Sequence, residues 1–273
     1  MEFARIQYYL VTLSPRFALA IVFLWFGLDK FIIHEFYLNW LQATERVKSI
    51  LPTQDLGLSI YAIGVVEIVI ASLLFIGVKI RLTSIVAVTV MIIIMLTAQY
   101  PSSFPQDIGL IGVGLMLAVS RMKNNKNNTK NNNSLDNLSK RNVIRKSRHI
   151  ESNLHIARYS ITAVLFLWAL DYILNHTRHI GWLQLSSAIS EFLFSVSQVM
   201  YLIVVVAVIE IVLALVISIG RRIIIMKYAY IVSTAFFIFV VLALDPPSNN
   251  HQTVGLAIIT AWLGYLAFTK KIV

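Results

Sequence analysis

Eight long apolar stretches, separated by short polar segments, dominate the hydropathy pattern of the chain. Apolar blocks of about twenty residues are typical of helices that cross a bilayer, because a helix rises about 1.5 Å per residue and the hydrocarbon core is about 30 Å thick. The pattern therefore predicts an all-α integral membrane protein with eight transmembrane helices. The predicted spans are residues 16–33, 57–78, 82–98, 107–120, 157–174, 199–219, 223–244 and 253–268.

The second half of the chain repeats polar landmarks of the first half at nearly constant offsets, as an old tandem duplication would. The matched pairs are Arg16 and Arg158, Asp29 and Asp171, His34 and His176, and Glu67 and Glu210. The repeat predicts two parallel four-helix bundles, each with a short interfacial helix after its first span, within 34–56 and 180–196. The predicted units are 1–121 and 157–273.

Residues 121–149 interrupt this pattern with an Asn-rich stretch that carries nine Lys or Arg and a single acid, Asp136. Such a composition buries too little apolar surface to fold by itself, so the sequence predicts a disordered linker over 122–156.

Composition and charge narrow the function classes. The chain is 58% hydrophobic and only 13% charged, which is too apolar for a soluble domain. Its net charge of +10 indicates membrane topology rather than nucleic-acid binding, because the basic residues concentrate on one predicted side. That bias predicts a multi-pass protein of the cytoplasmic membrane, with both termini and the linker in the cytoplasm and with membrane lipids as partners. There is no cysteine, which excludes disulfides and thiol chemistry.

Glu67 and Glu210 are the main candidates for chemistry, because each acid lies near the middle of a predicted span. An ionisable group at that depth needs a partner or a bound proton. A helix–helix contact is the favoured interpretation, while a proton relay and a contact to a quinone headgroup are the functional alternatives. Arg16 is predicted to anchor to lipid phosphate or to a helix end. Asp29 could pair with a neighbouring helix or face the headgroups.

His34 and His176, each five residues after an aspartate, suggest a metal site only weakly. Histidine and carboxylate are common metal ligands, but a separation of five residues places the side chains apart on a helix. Histidines at the membrane interface are the favoured interpretation. His34, His176, Asp29 and Asp171 stay as weak metal candidates, and no metal is expected.

Several motifs of the first half resemble those of the DoxX/DoxD-like family of four-helix membrane proteins. They are the Arg that opens the first span, Gly27-Leu28-Asp29-Lys30, Gly64-Val65-Val66-Glu67, Gly77 followed by basic residues, and the Gly-rich entry at 107–112. The second half departs from them, because Tyr172 replaces the Lys and Ala207 replaces the Gly before Glu210. The resemblance implies that any ligand site has been lost there.

The resemblance also implies a membrane subunit of a redox complex, and it adds Lys30 to the candidate site. The favoured expectation is a non-catalytic scaffold or accessory subunit of an oxidoreductase complex that contacts other subunits and shapes a quinone or lipid pocket. The first alternative is the quinone-reacting subunit of an enzyme like thiosulfate:quinone oxidoreductase. A small proton-coupled transporter ranks last.

Overall fold

The structure is a computed structural model that describes residues 2–44, 56–98, 104–119, 135–185, 196–220, 223–243 and 250–268. The described residues form helices and short connections and contain no strand. The ten helices are α1 Glu2–Ile32, α2 His34–Ala43, α3 Leu56–Ile76, α4 Ile80–Ala98, α5 Phe104–Val119, α6 Leu135–Leu174, α7 His176–Leu185, α8 Val196–Ile219, α9 Ile223–Ala243 and α10 Asn250–Phe268. The prediction of an all-α protein is therefore confirmed.

Three helical segments are long and apolar enough to cross a membrane by themselves: Leu56–Ile76, Leu154–Leu174 and Ser197–Ile219. A fourth candidate is the bent pair of Leu13–Ile32 and His34–Ala43, which meets the same criteria only when the two segments, at 92° to each other, are taken together. Four further apolar helices are shorter, between 10 and 17 residues. The structure thus supports a multi-pass membrane protein with three or four clear span candidates, and the count of eight spans stays a prediction.

The start of the first helix differs from the sequence prediction. Ser14 and Pro15 predict the start of the first span, but α1 begins at Glu2 and runs through Pro15. A proline inside a helix removes one backbone hydrogen bond without ending the helix where the flanking turns are held.

The prediction of a disordered linker is wrong for residues 135–156, which are helical and form the first part of α6. This stretch contains neither Gly nor Pro, so the helix that α6 forms at 157–174 can propagate backward through it. Residues 122–134 lie outside the described residues.

Both short helices follow the first long helix of their half, as predicted. α2 lies across the end of α1 and packs on the start of α3, where Tyr37 and Leu41 meet Leu56 and Ile60 in a small apolar cluster. α7 follows α6 after a turn at Asn175. It begins earlier than the predicted 180–196, and residues 186–195 lie outside the described residues. The end of the molecule that carries α2 and α7 is called the short-helix end below.

Helix pairs in the second half repeat those of the first half. α1 packs on α3 as α6 packs on α8, and α4 packs on α5 as α9 packs on α10. Gly109 in α5 approaches Val164 in α6, while its counterpart Gly255 in α10 approaches Val22 in α1. These equivalent contacts support the tandem duplication, which itself stays a prediction.

The two halves interlock, which differs from the predicted pair of separate bundles. α5 packs more extensively on α6 than on α1, and α10 packs more extensively on α1 than on α6. The fourth long helix of each half therefore covers the first long helix of the other half. One apolar core consequently runs through both halves, from Leu19 and Leu74 to Leu165 and Leu263.

A buried polar contact joins the halves where α5 and α10 begin. Gln252 Nε2 donates to Asp107 Oδ1 at 2.7 Å, and both side chains are buried. Asp107 lies in the first turn of α5, where the helix dipole favours a negative charge. Gly109 packs on Leu256 and Gly255 packs on Leu110 further along, so α5 and α10 run side by side in the same direction.

Candidate functional site

A buried ion pair joins α1 to α3. Lys30 Nζ lies 2.6 Å from Glu67 Oε2, and the side chains are 9% and 0% exposed. Lys30 lies two residues before the end of α1, whereas Glu67 is deep within α3. The lysine side chain therefore carries its charge from the short-helix end into the interior of the protein, where Glu67 receives it.

The ammonium group of Lys30 has further partners around it. Lys30 Nζ donates to the carbonyl oxygen of Phe26 at 3.2 Å. It also lies 5.2 Å from the centre of the Phe26 ring and 5.0 Å from that of Tyr37, within the range of cation–π attraction. These contacts partly replace the water that a buried ammonium group loses.

A second carboxyl group, Asp29, is buried beside this pair, with electrostatic contact to both Lys30 and Glu67. It is hydrogen-bonded to Trp25 through one side of its carboxyl group. Asp29 Oδ2 and Glu67 Oε1 are buried and have no hydrogen-bond partner among the residues that the structure describes. The site thus holds one cation and two acids, and each acid has one buried oxygen atom without a hydrogen-bond partner in the described structure.

Two glycines place the ion pair. A Cβ on Gly27 would lie 2.8 Å from the carbonyl oxygen of Gly64, and one on Gly64 would lie 3.1 Å from that of Gly27. α1 and α3 therefore approach each other backbone to backbone at this level. Because Lys30 and Glu67 each lie three residues after one of these glycines, the close crossing brings their side chains onto the same side of the contact.

The corresponding position in the second half has the acid but not the cation. Glu210 is fully buried in α8, and neither of its carboxyl oxygens has a hydrogen-bond partner within the described part of the chain. Tyr172, in the place of Lys30, is close enough to act electrostatically on Glu210. Ala169 and Ala207 stand where the first half has Gly27 and Gly64.

Asp171 has different partners from its counterpart Asp29, and it belongs to a hydrogen-bonded cluster at the short-helix end. Its Oδ2 accepts from Arg178 at 2.9 Å and lies 2.8 Å from His179 Nε2. Its Oδ1 accepts from Asn175 at 2.5 Å. Burial lowers the pKa of His179, while its hydrogen bond to Asp171 opposes this shift.

The weak metal candidates do not assemble into one site within the described residues, where no three His, Asp or Glu side chains are grouped to hold a metal ion. His34 instead stacks on Tyr61, with ring centres 4.3 Å apart and planes at 6°. His176 is exposed on α7, and His179, rather than His176, contacts Asp171.

Arg16 and Arg158 each contact the end of a helix, which is one of the two roles predicted for Arg16. Arg158 donates to the carbonyl oxygens of Ile217, Ser218 and Gly220 at 2.5, 2.8 and 3.2 Å. Arg16 donates to the carbonyl oxygen of Phe75 at 3.5 Å. Both arginines therefore supply donors to carbonyl groups that have no partner inside their own helix.

Neither the pairing of Lys30 with Glu67 nor the contact of Asp107 with Gln252 was predicted from the sequence. The first pair had a signal, because Gly27 to Lys30 and Gly64 to Glu67 share the same three-residue spacing. Small residues mark close helix crossings in membranes, so two such motifs could have been matched to each other. The second contact crosses the two halves and has no comparable local signal.

Comparison with known proteins supports the resemblance. The DoxX family model matches residues 11–100, which include most of α1 and all of α2, α3 and α4. The family resemblance is therefore confirmed over this segment, which contains Lys30 and Glu67, and it indicates a membrane protein. No curated protein and no solved structure matches the chain.

Proposed function

We propose that this chain is a non-catalytic integral-membrane subunit of a membrane oxidoreductase complex, and that Lys30, Glu67 and Asp29 hold the polar headgroup of a quinone or a lipid. The observation that carries this proposal is the buried ion pair between Lys30 and Glu67, at 2.6 Å, within the segment that matches the DoxX family. Buried ion pairs are costly to desolvate and often stabilise less than apolar residues of the same size, so their presence suggests a function.

The atoms at this site suit a quinone headgroup. A quinone carbonyl accepts hydrogen bonds, and the Lys30 ammonium is the donor on the site. A quinol hydroxyl donates, and Glu67 Oε1 and Asp29 Oδ2 are buried acceptors that lack a partner in the described structure. A lipid ester or hydroxyl group has the same two capacities, so the chemistry that the site recognises is a small neutral headgroup that both accepts and donates.

A bound quinone would supply two-electron redox chemistry, and we propose that another subunit exchanges these electrons with it. The role of this chain would then be to bind and orient the headgroup beside Lys30. It would also exclude water through the aromatic rings of Phe26 and Tyr37, which lie beside the ammonium group.

The proposed arrangement in the membrane has eight spans from two duplicated units, with both termini in the cytoplasm. α5 has 16 residues and α10 has 19, which correspond to about 24 and 28 Å of helix and fall just short of a typical hydrocarbon core. The parallel course of α5 and α10 supports two units inserted in the same sense. The short-helix end, with Asp29 and Lys30, would face outward.

The subunit role is tested by purifying the chain from native membranes in a mild detergent. We expect it to co-migrate with an oxidoreductase partner and to carry that activity into the same fraction. A chain that stays alone at every protein concentration would contradict the proposal.

The headgroup role is tested by the quinone and lipid that remain bound after purification, quantified by solvent extraction and mass spectrometry. The double variant Lys30→Met/Glu67→Gln removes both charges together, so that neither is left buried alone. We expect it to stay folded and in the complex but to lose the bound headgroup molecule. Glu210→Gln is the matched control and should keep it. Equal occupancy in both variants would rule out the site.

The alternative, in which this chain is the quinone-reacting subunit, is favoured by the free acceptor capacity of Glu67. Glu67 Oε1 could then take a proton from a quinol hydroxyl. In that case Glu67→Gln, assayed in the assembled complex, should abolish quinone turnover although the headgroup still binds. Unchanged turnover would remove this alternative and leave the structural role.

A further inference from the structure

Glu210 is the buried titratable group that the proposed function does not use. It lies well inside α8, fully buried, and neither carboxyl oxygen has a hydrogen-bond partner among the described residues. Its neighbours along α8, Val208, Ile209 and Val212, are exposed apolar side chains, so Glu210 points toward the protein interior. A carboxylate without a cation or a hydrogen-bond donor is strongly disfavoured in such a place, whereas the neutral acid is tolerated.

Comparison with the first half shows why no cation among the described residues pairs with Glu210. Glu67, at the equivalent position, is equally buried but lies 2.6 Å from Lys30. The second half has Tyr172 in the place of Lys30. A phenol donates one hydrogen bond but carries no positive charge at neutral pH, so it cannot neutralise a carboxylate.

The helices that contact α8 are α6, α7 and α9, and seven of their titratable groups bear on the charge of Glu210. Arg158 on α6 donates to the carbonyl oxygens of Ile217, Ser218 and Gly220, at the end of α8 beyond Glu210. On α9, Lys227 lies over the ring of Phe268 at the far end of α10, and Tyr230 is in electrostatic contact with Arg158. Tyr172 on α6 is near Glu210. The remaining three, Asp171, Arg178 and His179, form the hydrogen-bonded cluster at the short-helix end.

The side chains at this end of the second half become less exposed from Arg178 to Asp171 to Tyr172. Arg178 is exposed and Asp171 is partly exposed, so water reaches this cluster. Tyr172 is buried directly after Asp171, its ring centre is 4.5 Å from that of His179, and it acts electrostatically with both Asp171 and Glu210. Tyr172 therefore contacts the polar cluster through its ring and brings no positive charge to the buried acid.

We propose that Glu210 is a proton-binding site, present as a neutral carboxylic acid at pH 7. The second half would then keep a proton-binding site of a different kind in the place of the ion pair.

The test is infrared spectroscopy of the full chain in lipid nanodiscs at pH 7. A protonated carboxyl group has a carbonyl stretching band at higher frequency than the amide bands, and this band shifts when the proton is replaced by deuterium. We expect such a band in the wild-type protein and its loss in Glu210→Gln. After transfer to D₂O, we expect the band to shift to lower frequency, as the band of a carboxylic acid does.

A second variant guards against a failure of Glu210→Gln to fold. Tyr172→Lys supplies the cation that Lys30 supplies to Glu67, and it should remove the band while Glu210 is still present. The absence of the band in the wild-type protein at pH 7 would overturn the proposal for the protonated acid. Persistence of the band in both Glu210→Gln and Tyr172→Lys would assign it to another acid and would also overturn the proposal. Neither result depends on headgroup binding at Lys30 and Glu67.

Discussion

At the scale of single residues, the two equivalent arginines differ in how completely they engage a helix end. Arg158 makes three hydrogen bonds to carbonyl oxygens at the end of α8, while Arg16 makes a long one to Phe75 at the end of α3. Hydrogen bonds that involve a charged donor contribute about 1.5–3 kcal/mol. We predict that Arg158→Met lowers the free energy of unfolding by about this amount and that Arg16→Met lowers it less.

Thermal unfolding in detergent, followed by circular dichroism, measures this difference. Arg158→Lys keeps the charge but cannot reach three carbonyl groups at once, and it should recover only part of the loss. An equal cost for Arg16→Met and Arg158→Met would contradict the geometry.

His179 predicts a pH dependence of stability. Burial lowers its pKa in the folded protein below the ordinary value of 6.5, despite the opposing effect of Asp171. Between that lowered pKa and 6.5 the unfolded chain binds a proton that the folded chain does not, so stability falls as the pH falls through this window. The groups that face His179 are Asp171, Arg178 and Tyr172.

The measurement is the unfolding temperature between about pH 7 and pH 5. His179→Gln should flatten the decline toward low pH, whereas the exposed His176→Gln on the same helix should leave it as it is in the wild-type protein. A decline of the same size in His179→Gln would show that another group causes it.

At the scale of helices, the close crossing of α1 and α3 depends on the glycines Gly27 and Gly64. A Cβ added to Gly27 would lie 2.6 Å from Ile68 Cγ1 and 2.8 Å from the Gly64 carbonyl oxygen, so the two helices must move apart. We predict that Gly27→Ala costs about 1–3 kcal/mol, as overpacking does, and weakens the contact between Lys30 and Glu67.

Gly57 offers a matched control in α3, because a Cβ there meets only His34, at an ordinary 3.6 Å. Gly57→Ala should be neutral or slightly stabilising, since alanine favours a helix over glycine. Both variants can be compared by thermal unfolding. If Gly27→Ala is as stable as Gly57→Ala, the helices are not in close contact.

The sequence predicts most helices closely because apolar blocks mark them directly. The observed α3, α4, α8 and α9 begin and end within a few residues of the predicted spans. The start of α1 and the extension of α6 could not be predicted in this way. Pro15 and the basic residues before 157 are polar or helix-breaking by themselves, and their helical state depends on the helix that follows them.

The candidate site was predicted less completely than the helices. Glu67 and Glu210 look alike in sequence, each deep in an apolar run, and their different surroundings depend on what faces them from α1 and α6. Lys30 has four rotatable bonds that carry its charge inward to Glu67, a reach that hydropathy alone does not reveal. Side-chain partners across helices depend on the rotation of each helix, which the pattern along one helix does not determine.

At the scale of the whole molecule, the interlocked halves make a prediction about cross-links. Gly255 in α10 lies against Val22 in α1, across the two halves. The chain has no cysteine, so any disulfide that forms must involve the introduced residues. We predict that Val22→Cys/Gly255→Cys forms a disulfide within one chain under mild oxidation, detected by mass spectrometry of the linked peptides.

The matched control joins Val22 to the glycine of its own half. Val22→Cys/Gly109→Cys should cross-link far more slowly, because Gly109 packs on Val164 and Leu256 instead. Faster cross-linking of this control pair would mean that each half is a self-contained bundle and that the halves do not exchange their last helices.

The central claim is that Lys30 and Glu67 form a charged pair inside the membrane-spanning part of the protein, and a double-mutant cycle on thermal unfolding in nanodiscs tests it most directly. Either Lys30→Met or Glu67→Gln alone leaves one buried charge without its partner and should cost about 3–5 kcal/mol. The double variant should cost clearly less than the sum of the two. Strictly additive losses would contradict the ion pair and, with it, the site proposed here.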